Sequence, residues 1–254
     1  LYVSGKQELA LRILEGVLEE RADVDIAYKR LAAIHKEAGN IPEALKVLES
    51  GLEALPSSYE IFVDYTKTLI AGHRYDRMIQ SFQASRFPQA ELDPEIWNNL
   101  GFAHAQKGEY EQAIRAYEAG LSLDRQHPEL HNNLGDALRA LGVRNKDTSL
   151  IQESLAHFQE AVDLDPTYPA PYFNLGLASA QVGNLDQAIF WWEKTLKVEP
   201  RFDQAEINLA MAYFRKGDRE KACRLFQDYK RKYYAILPGA QKKKLDAWLA
   251  RCKD

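Results

Sequence analysis

A chain of 254 residues, 46% of them hydrophobic and 28% charged, carries enough apolar surface to build a core, which excludes an intrinsically disordered protein. No run approaches the ~18 consecutive apolar residues of a membrane helix, so membrane insertion is not expected. The net charge of −4 is uneven: residues 1–214 hold 20 Lys and Arg against 32 Asp and Glu, a balance of −12, and residues 215–254 hold 13 against 5, a balance of +8. An acidic body repels phosphates, which argues against a nucleic-acid partner. The basic end reads as a solvated surface or as a contact for an acidic partner.

The chain opens without Met, and Gln7–Leu14 has the apolar spacing of the second helix of a helix pair, with Ser4-Gly5 as the turn before it. Residues 1–24 therefore read as a partial repeat, and the chain as a piece of a longer one. Six segments of one pattern follow, starting at residues 25, 59, 94, 128, 169 and 203, at intervals of 34, 35, 34, 41 and 34. Each predicts a helix, a turn and a second helix. In the copy from Asp25, Gly39 marks the turn, Ala44 is small where helices meet, and Pro56 stops the second helix. The copy from Tyr59 has Thr66 and Met78 in small-residue slots and no closing Asp-Pro, which predicts looser packing. In the copy from Pro94, Trp97, Leu100 and His104 share one helical face. Gly101 and Ala113 are its small residues, and Gly108 its turn.

The copy from Pro128 carries seven extra residues, placed near Val143–Ser149 between its helices, where Ser149 and Gln152 could form a capping box. Its small residue is Gly135. The copy from Pro169 repeats the pattern with Tyr172, Leu175, Gly176, Gly183, Ala188, Trp192 and Pro200. In the copy from Asp203, Ala210, Gly217 and Ala222 fill the small and turn slots, and Cys223 beside Ala222 reads as a buried, inert thiol. Pro238 then opens the polar stretch QKKKLDAWLARCKD, whose Leu245, Trp248 and Leu249 fall on one face, as a terminal capping helix over 237–254 requires.

The period of 34, with Trp97, Leu100, Gly101, Ala113 and Tyr117 in fixed slots, resembles the tetratricopeptide repeat family. The resemblance implies an all-α fold, an α-α superhelix of six repeats over 25–236. It also implies another polypeptide as partner, bound in a concave groove lined by the first helix of each pair. The slot before Leu-Gly would face that groove, and it holds Asn99, Asn133, Asn174 and Asn208, against Arg30 and Asp64 in the first two repeats. A carboxamide offers an acceptor and two donors, so such a row can read peptide backbone. It is similar to the asparagine ladder of O-GlcNAc transferases, although Asn is also the commonest residue of that slot across the family. Phe102, Phe173, Leu177, Ile207, Met211 and Phe214 would point inward as apolar contacts, or pack on neighbouring helices. The Lys and Arg set with which chaperone-binding members hold a terminal carboxylate is missing, which disfavours an EEVD-type chaperone tail. Two other readings stand beside an adaptor: the recruiting region of a larger enzyme, such as a glycosyltransferase or hydrolase, and self-association through solenoid ends.

Catalytic signatures are absent from the sequence: it has no phosphate-binding loop, no G-x-G-x-x-G, no G-x-S-x-G and no H-E-x-x-H. His127 and His131 are four apart, but Pro128 interrupts the helix between them, and His35 and His104 occupy a packing slot. No enzyme activity, cofactor or metal is expected. Two cysteines without metal-ligand spacing cannot make a disulfide framework and fit a reducing, cytoplasmic setting.

Overall fold

A computed structural model of the chain describes residues 2–85 and 87–252, with side chains from residue 7 onward. Every regular element among the described residues is helical. The chain divides into two compact units, residues 1–125 and 126–254.

The first unit holds α1 (Tyr2–Glu20), α2 (Asp25–Glu37), α3 (Ile41–Ala54), α4 (Tyr59–Ala71), α5 (Tyr75–Gln83), a 3-10 turn (Pro88–Leu92), α6 (Pro94–Gln106) and α7 (Tyr110–Leu123). The second holds α8 (Pro128–Asn145), α9 (Thr148–Leu164), α10 (Pro169–Gln181), α11 (Leu185–Val198), α12 (Asp203–Lys216), α13 (Arg219–Tyr233) and α14 (Gly239–Ala250). Within each unit a first helix packs on its own second helix and that one on the next first helix, so each pair buries what it could not bury alone.

Local chemistry sets the boundaries. Pro94, Pro128 and Pro169 each open a helix, where the missing N–H costs nothing. Asp93, Asn184 and Asp218 cap helices by accepting from the backbone N–H of Glu95, Gln187 and Lys221. Gly39, Gly108, Gly183 and Gly217 end their helices at φ of +77°, +76°, +85° and +90°. In the second and fourth pairs that left-handed place falls to His73 (φ 56°) and Lys146 (φ 57°), at about 1–2 kcal/mol each relative to glycine. The small first-helix residues are needed sterically. A Cβ on Gly101 would lie 2.5 Å from Tyr117 Cε1, on Gly135 2.7 Å from Phe158 Cε1, and on Gly176 2.3 Å from Trp192 Nε1.

Four expectations need correction. Ser4 and Gly5 are not a turn, because α1 runs through them from Tyr2. The seven extra residues do not form a loop: α8 and α9 grow to 18 and 17 residues, against 13 and 14 in α10 and α11. Val143-Arg144-Asn145 contains no breaker, so the helix continues and each added residue gains a backbone bond. The cap of α9 is Asp147, which accepts from Ser149 N (2.9 Å) and Ser149 Oγ (2.6 Å), and no Ser149–Gln152 box forms. Although Thr66 and Met78 are themselves fully buried, the looser packing expected of the copy from Tyr59 falls on α5, only 9 residues long, which meets α4 over a smaller contact than the helices of the other repeat pairs share. Beyond it Phe87 turns inward, 4.9 Å from the Phe62 ring.

The fourth correction concerns sulfur. Cys223 is not a free thiol: it forms a disulfide with Cys252, with their Cα atoms 5.7 Å apart. Folding α14 back onto α13 brings together residues separated by 29 positions, a proximity that sequence spacing could not reveal. With the pair oxidised, the ground for a reducing compartment falls away. Leu245 of α14 is buried, and Trp248 and Leu249 pack on the same cluster. Residues 253 and 254 of the expected capping segment lie outside the described residues.

Candidate functional site

The two units divide the candidate groove residues. In the first, Asn99 and Phe102 stand on α6. The Asn99 Nδ2 is buried with no hydrogen-bond partner, and Phe102 meets Tyr75 edge-on at 6.2 Å. Arg30 is exposed and Asp64 half-buried.

In the second unit, Asn133 of α8, Asn174 of α10 and Asn208 of α12 are all half-buried. Two of them meet through a residue that sequence reasoning missed. Asn132 is 6% exposed, and its Oδ1 accepts from Asn174 Nδ2 at 3.0 Å. The Asn132 Nδ2 donates to Asn133 Oδ1 (3.3 Å) and to Tyr168 Oη (3.4 Å). A buried carboxamide with partners on two sides is a fixed hub, and it positions the amides on either side of it. The available signal was the doubled Asn132-Asn133 before Leu134-Gly135.

The apolar candidates of this unit lie together. Phe173, Leu177, Ile207, Met211 and Phe214 are half-buried against one core cluster that includes Leu209, Tyr213 and Phe226. Each therefore serves packing on one side. Phe173 lies 4.9 Å from the Phe202 ring, and its carbonyl accepts from the Trp192 indole N–H at 3.2 Å. Phe214 is engaged by α14, with Trp248 edge-on at 5.0 Å.

The histidines go to separate partners. His127 caps α8, its Nδ1 accepting from Leu130 N at 3.4 Å. His131 stacks on His157, with their Nδ1 atoms 3.2 Å apart. Burial, and then the neighbouring His131, hold His157 below the ordinary imidazole value of 6.5, against an opposing pull from Glu160. His104 Nδ1 meets Glu109 Oε2 at 2.7 Å, and Lys107 pairs with the same carboxylate. Lys107 and His104 together keep the Glu109 carboxyl below its usual range. Among the described residues no three His, Cys, Asp or Glu side chains are placed to hold a metal, and no helix is long and apolar enough to cross a membrane.

Family comparison matches "TPR repeat" over residues 103–142 and 151–183, and "Tetratricopeptide repeat" over 204–233. Protein FlbA of Caulobacter vibrioides is 25% identical over 182 residues, covering 72% of this chain and 28% of FlbA. Human protein O-mannosyl-transferase TMTC3 is 23% identical over 211 residues, covering 79% of this chain and 23% of TMTC3. The chain thus spans roughly a quarter of the length of these relatives. Among solved structures, the anaphase-promoting complex hetero-tetramer Cut9–Hcn1 superposes with a TM-score of 0.73 at 17% identity, covering 99% of this chain and 47% of the other. Over the matched residues the repeats are tetratricopeptide repeats, and the all-α fold is that of the superhelical solenoids of this class.

Proposed function

We propose that this tetratricopeptide-repeat protein binds an extended or helical segment of another polypeptide along the first helices of its second unit, α8, α10 and α12. The reading is carried by the asparagine hub. Asn132 fixes Asn133 and Asn174 on adjacent first helices, and half-buried Asn208 takes the same slot on α12. Amides held in place lose little freedom when they accept and donate to a ligand backbone. Beside them Phe173, Leu177, Ile207 and Met211, each packed on one side, offer apolar contact for ligand side chains. Asn99 and Phe102 would act likewise in the first unit. The assembly of Cut9 with Hcn1 is consistent with polypeptide binding by this fold.

The test begins with peptides selected by display on the whole chain, followed by calorimetry of one selected peptide against Asn174→Ala/Asn208→Ala. At roughly 0.5–1.5 kcal/mol net per hydrogen bond, two lost bonds weaken binding by about 1–3 kcal/mol, about 5- to 150-fold. Unchanged affinity in a folded double variant removes the asparagines from the site.

A second reading, favoured by the match to TMTC3, is that these repeats are the recruiting region of a larger transferase. The full coding sequence decides it. Adjoining transferase motifs support the recruiting region, and a coding sequence without them leaves the adaptor.

A further inference from the structure

Beyond the α8–α10–α12 face, the second unit carries another apolar surface, and the chain itself occupies it. Phe214 of α12 and Phe226 of α13 both lie under Trp248 of α14, which stacks on Phe226 at 5.7 Å with the rings 14° apart. Leu245, 2% exposed, completes the contact. So α14 sits there as a resident amphipathic helix.

Electrostatics works against this seat. Helix α13 carries six Lys and Arg against two Asp and Glu, a balance of +4, and α14 carries three against one, a balance of +2. Like charges on packed helices repel, more strongly at low salt. Two carboxylates offset this in part: Asp246 accepts from Lys230 Nζ and from Tyr234 Oη, both at 2.7 Å, and Glu206 of α12 accepts from Lys232 Nζ at 2.6 Å, while Lys242 lies 5.4 Å from the Tyr234 ring centre. The covalent link is at the other end, where Cys252, two residues past α14, joins Cys223 near the start of α13. Both cysteines are half-buried and line an open cleft of about 420 Å³ together with Arg219, Arg224 and Arg251. Guanidinium groups beside a disulfide attract an anionic thiolate and stabilise the thiolate that leaves.

We propose that the Cys223–Cys252 disulfide is a redox latch: oxidised, it holds α14 across the Phe214–Phe226 surface, and reduced, it releases α14 and opens that surface to an acidic amphipathic helix of a partner. The chemistry is thiol–disulfide exchange with a dithiol. One thiolate attacks a cysteine sulfur, a mixed disulfide forms and the other cysteine leaves as thiolate. The second thiol of the reductant then displaces the first cysteine, so two electrons enter the bond and the dithiol becomes a disulfide. The occupant's chemistry follows from what it replaces. It must offer Leu, Trp and Leu at the spacing of Leu245, Trp248 and Leu249, and acidic flanks suit the +4 helix better than the lysines of α14 do.

Hydrogen exchange on the whole chain, oxidised and in dithiothreitol, reads the latch. Amides of 239–250 should exchange at least tenfold faster after reduction, while those of α10–α12 hold their rates. Cys223→Ser/Cys252→Ser should show the fast rates without reductant and no response to it. A fluorescent 12-residue peptide with the α14 spacing and Glu in place of its lysines should bind the reduced chain at least tenfold more tightly than the oxidised chain. Equal exchange of 239–250 in both states overturns the proposal. So does equal peptide affinity, and so does faster exchange spreading through α10–α12, which would make the disulfide a staple for the whole unit. The asparagine reading is decided separately, by the affinity of a selected peptide for oxidised Asn174→Ala/Asn208→Ala, which none of these outcomes measures.

Discussion

In Gly176→Ala the new Cβ would stand 2.3, 2.6 and 2.7 Å from Nε1, Cδ1 and Cε2 of Trp192, distances no real Cβ sustains. The indole cannot swing away cheaply. Trp192 is 4% exposed, and its N–H donates to the Phe173 carbonyl at 3.2 Å. Forcing a methyl into a packed interior costs about 1–3 kcal/mol. Leaving a buried donor unpaired costs about 1–3 kcal/mol more. Against this, alanine is favoured over glycine in a helix by about 1 kcal/mol. The net expectation is a loss of about 1–5 kcal/mol, which a urea titration followed by tryptophan fluorescence and circular dichroism resolves. Gly16→Ala is the internal control: nothing lies within 4 Å of its added Cβ in the middle of α1, so only the propensity gain remains and stability should rise by up to about 1 kcal/mol. If Gly176→Ala matched or exceeded the wild type, the close approach of α10 and α11 would be wrong.

His157 gives a pH dependence whose sign is fixed by its lowered pKa. Well above pH 6.5 neither folded nor unfolded chain protonates it, and it contributes nothing. As pH falls below 6.5 the unfolded chain takes up the proton first, so stability drops, and His157→Gln should flatten the slope of stability between pH 7 and 5. An unaltered slope would contradict the burial of that imidazole. Asn174→Ala should cost about 0.5–1.5 kcal/mol by removing the donor to buried Asn132, whereas Asn208→Ala should stay within about 0.5 kcal/mol, as measured by chemical denaturation. The short α5 and the 3-10 turn after it should exchange amide hydrogens before α6 and α7 do, and uniform protection of residues 75–123 would contradict that order.

The helical pairs were legible because each repeat states the same requirement several times. Small residues at 101, 135 and 176 face the rings at 117, 158 and 192, and glycines at 39, 108, 183 and 217 take positive φ. What was not legible depended on where chains meet in space. Cys223 and Cys252 sit in unrelated sequence surroundings, and only the return of α14 onto α13 pairs them. The extra residues of the fourth repeat lengthen two helices, and the turn between them is taken by Lys146 at a left-handed φ that no glycine advertised. The groove candidates were found by slot, yet the residue joining Asn133 to Asn174 was Asn132, one position away and turned inward. A slot rule names the half-buried member of such a pair and overlooks the buried one that orients it.

The central claim, that a polypeptide lies along the first helices of the second unit, is tested most directly by site-specific photocrosslinking. A photoreactive phenylalanine analogue is placed singly at Ile207, at Met211, and at Phe190, an exposed ring on the second helix α11, and each chain is irradiated with a display-selected peptide. The account predicts peptide adducts at 207 and 211 and none at 190. Adducts concentrated at 190, with 207 and 211 unlabelled, would place the ligand on the second helices and contradict it.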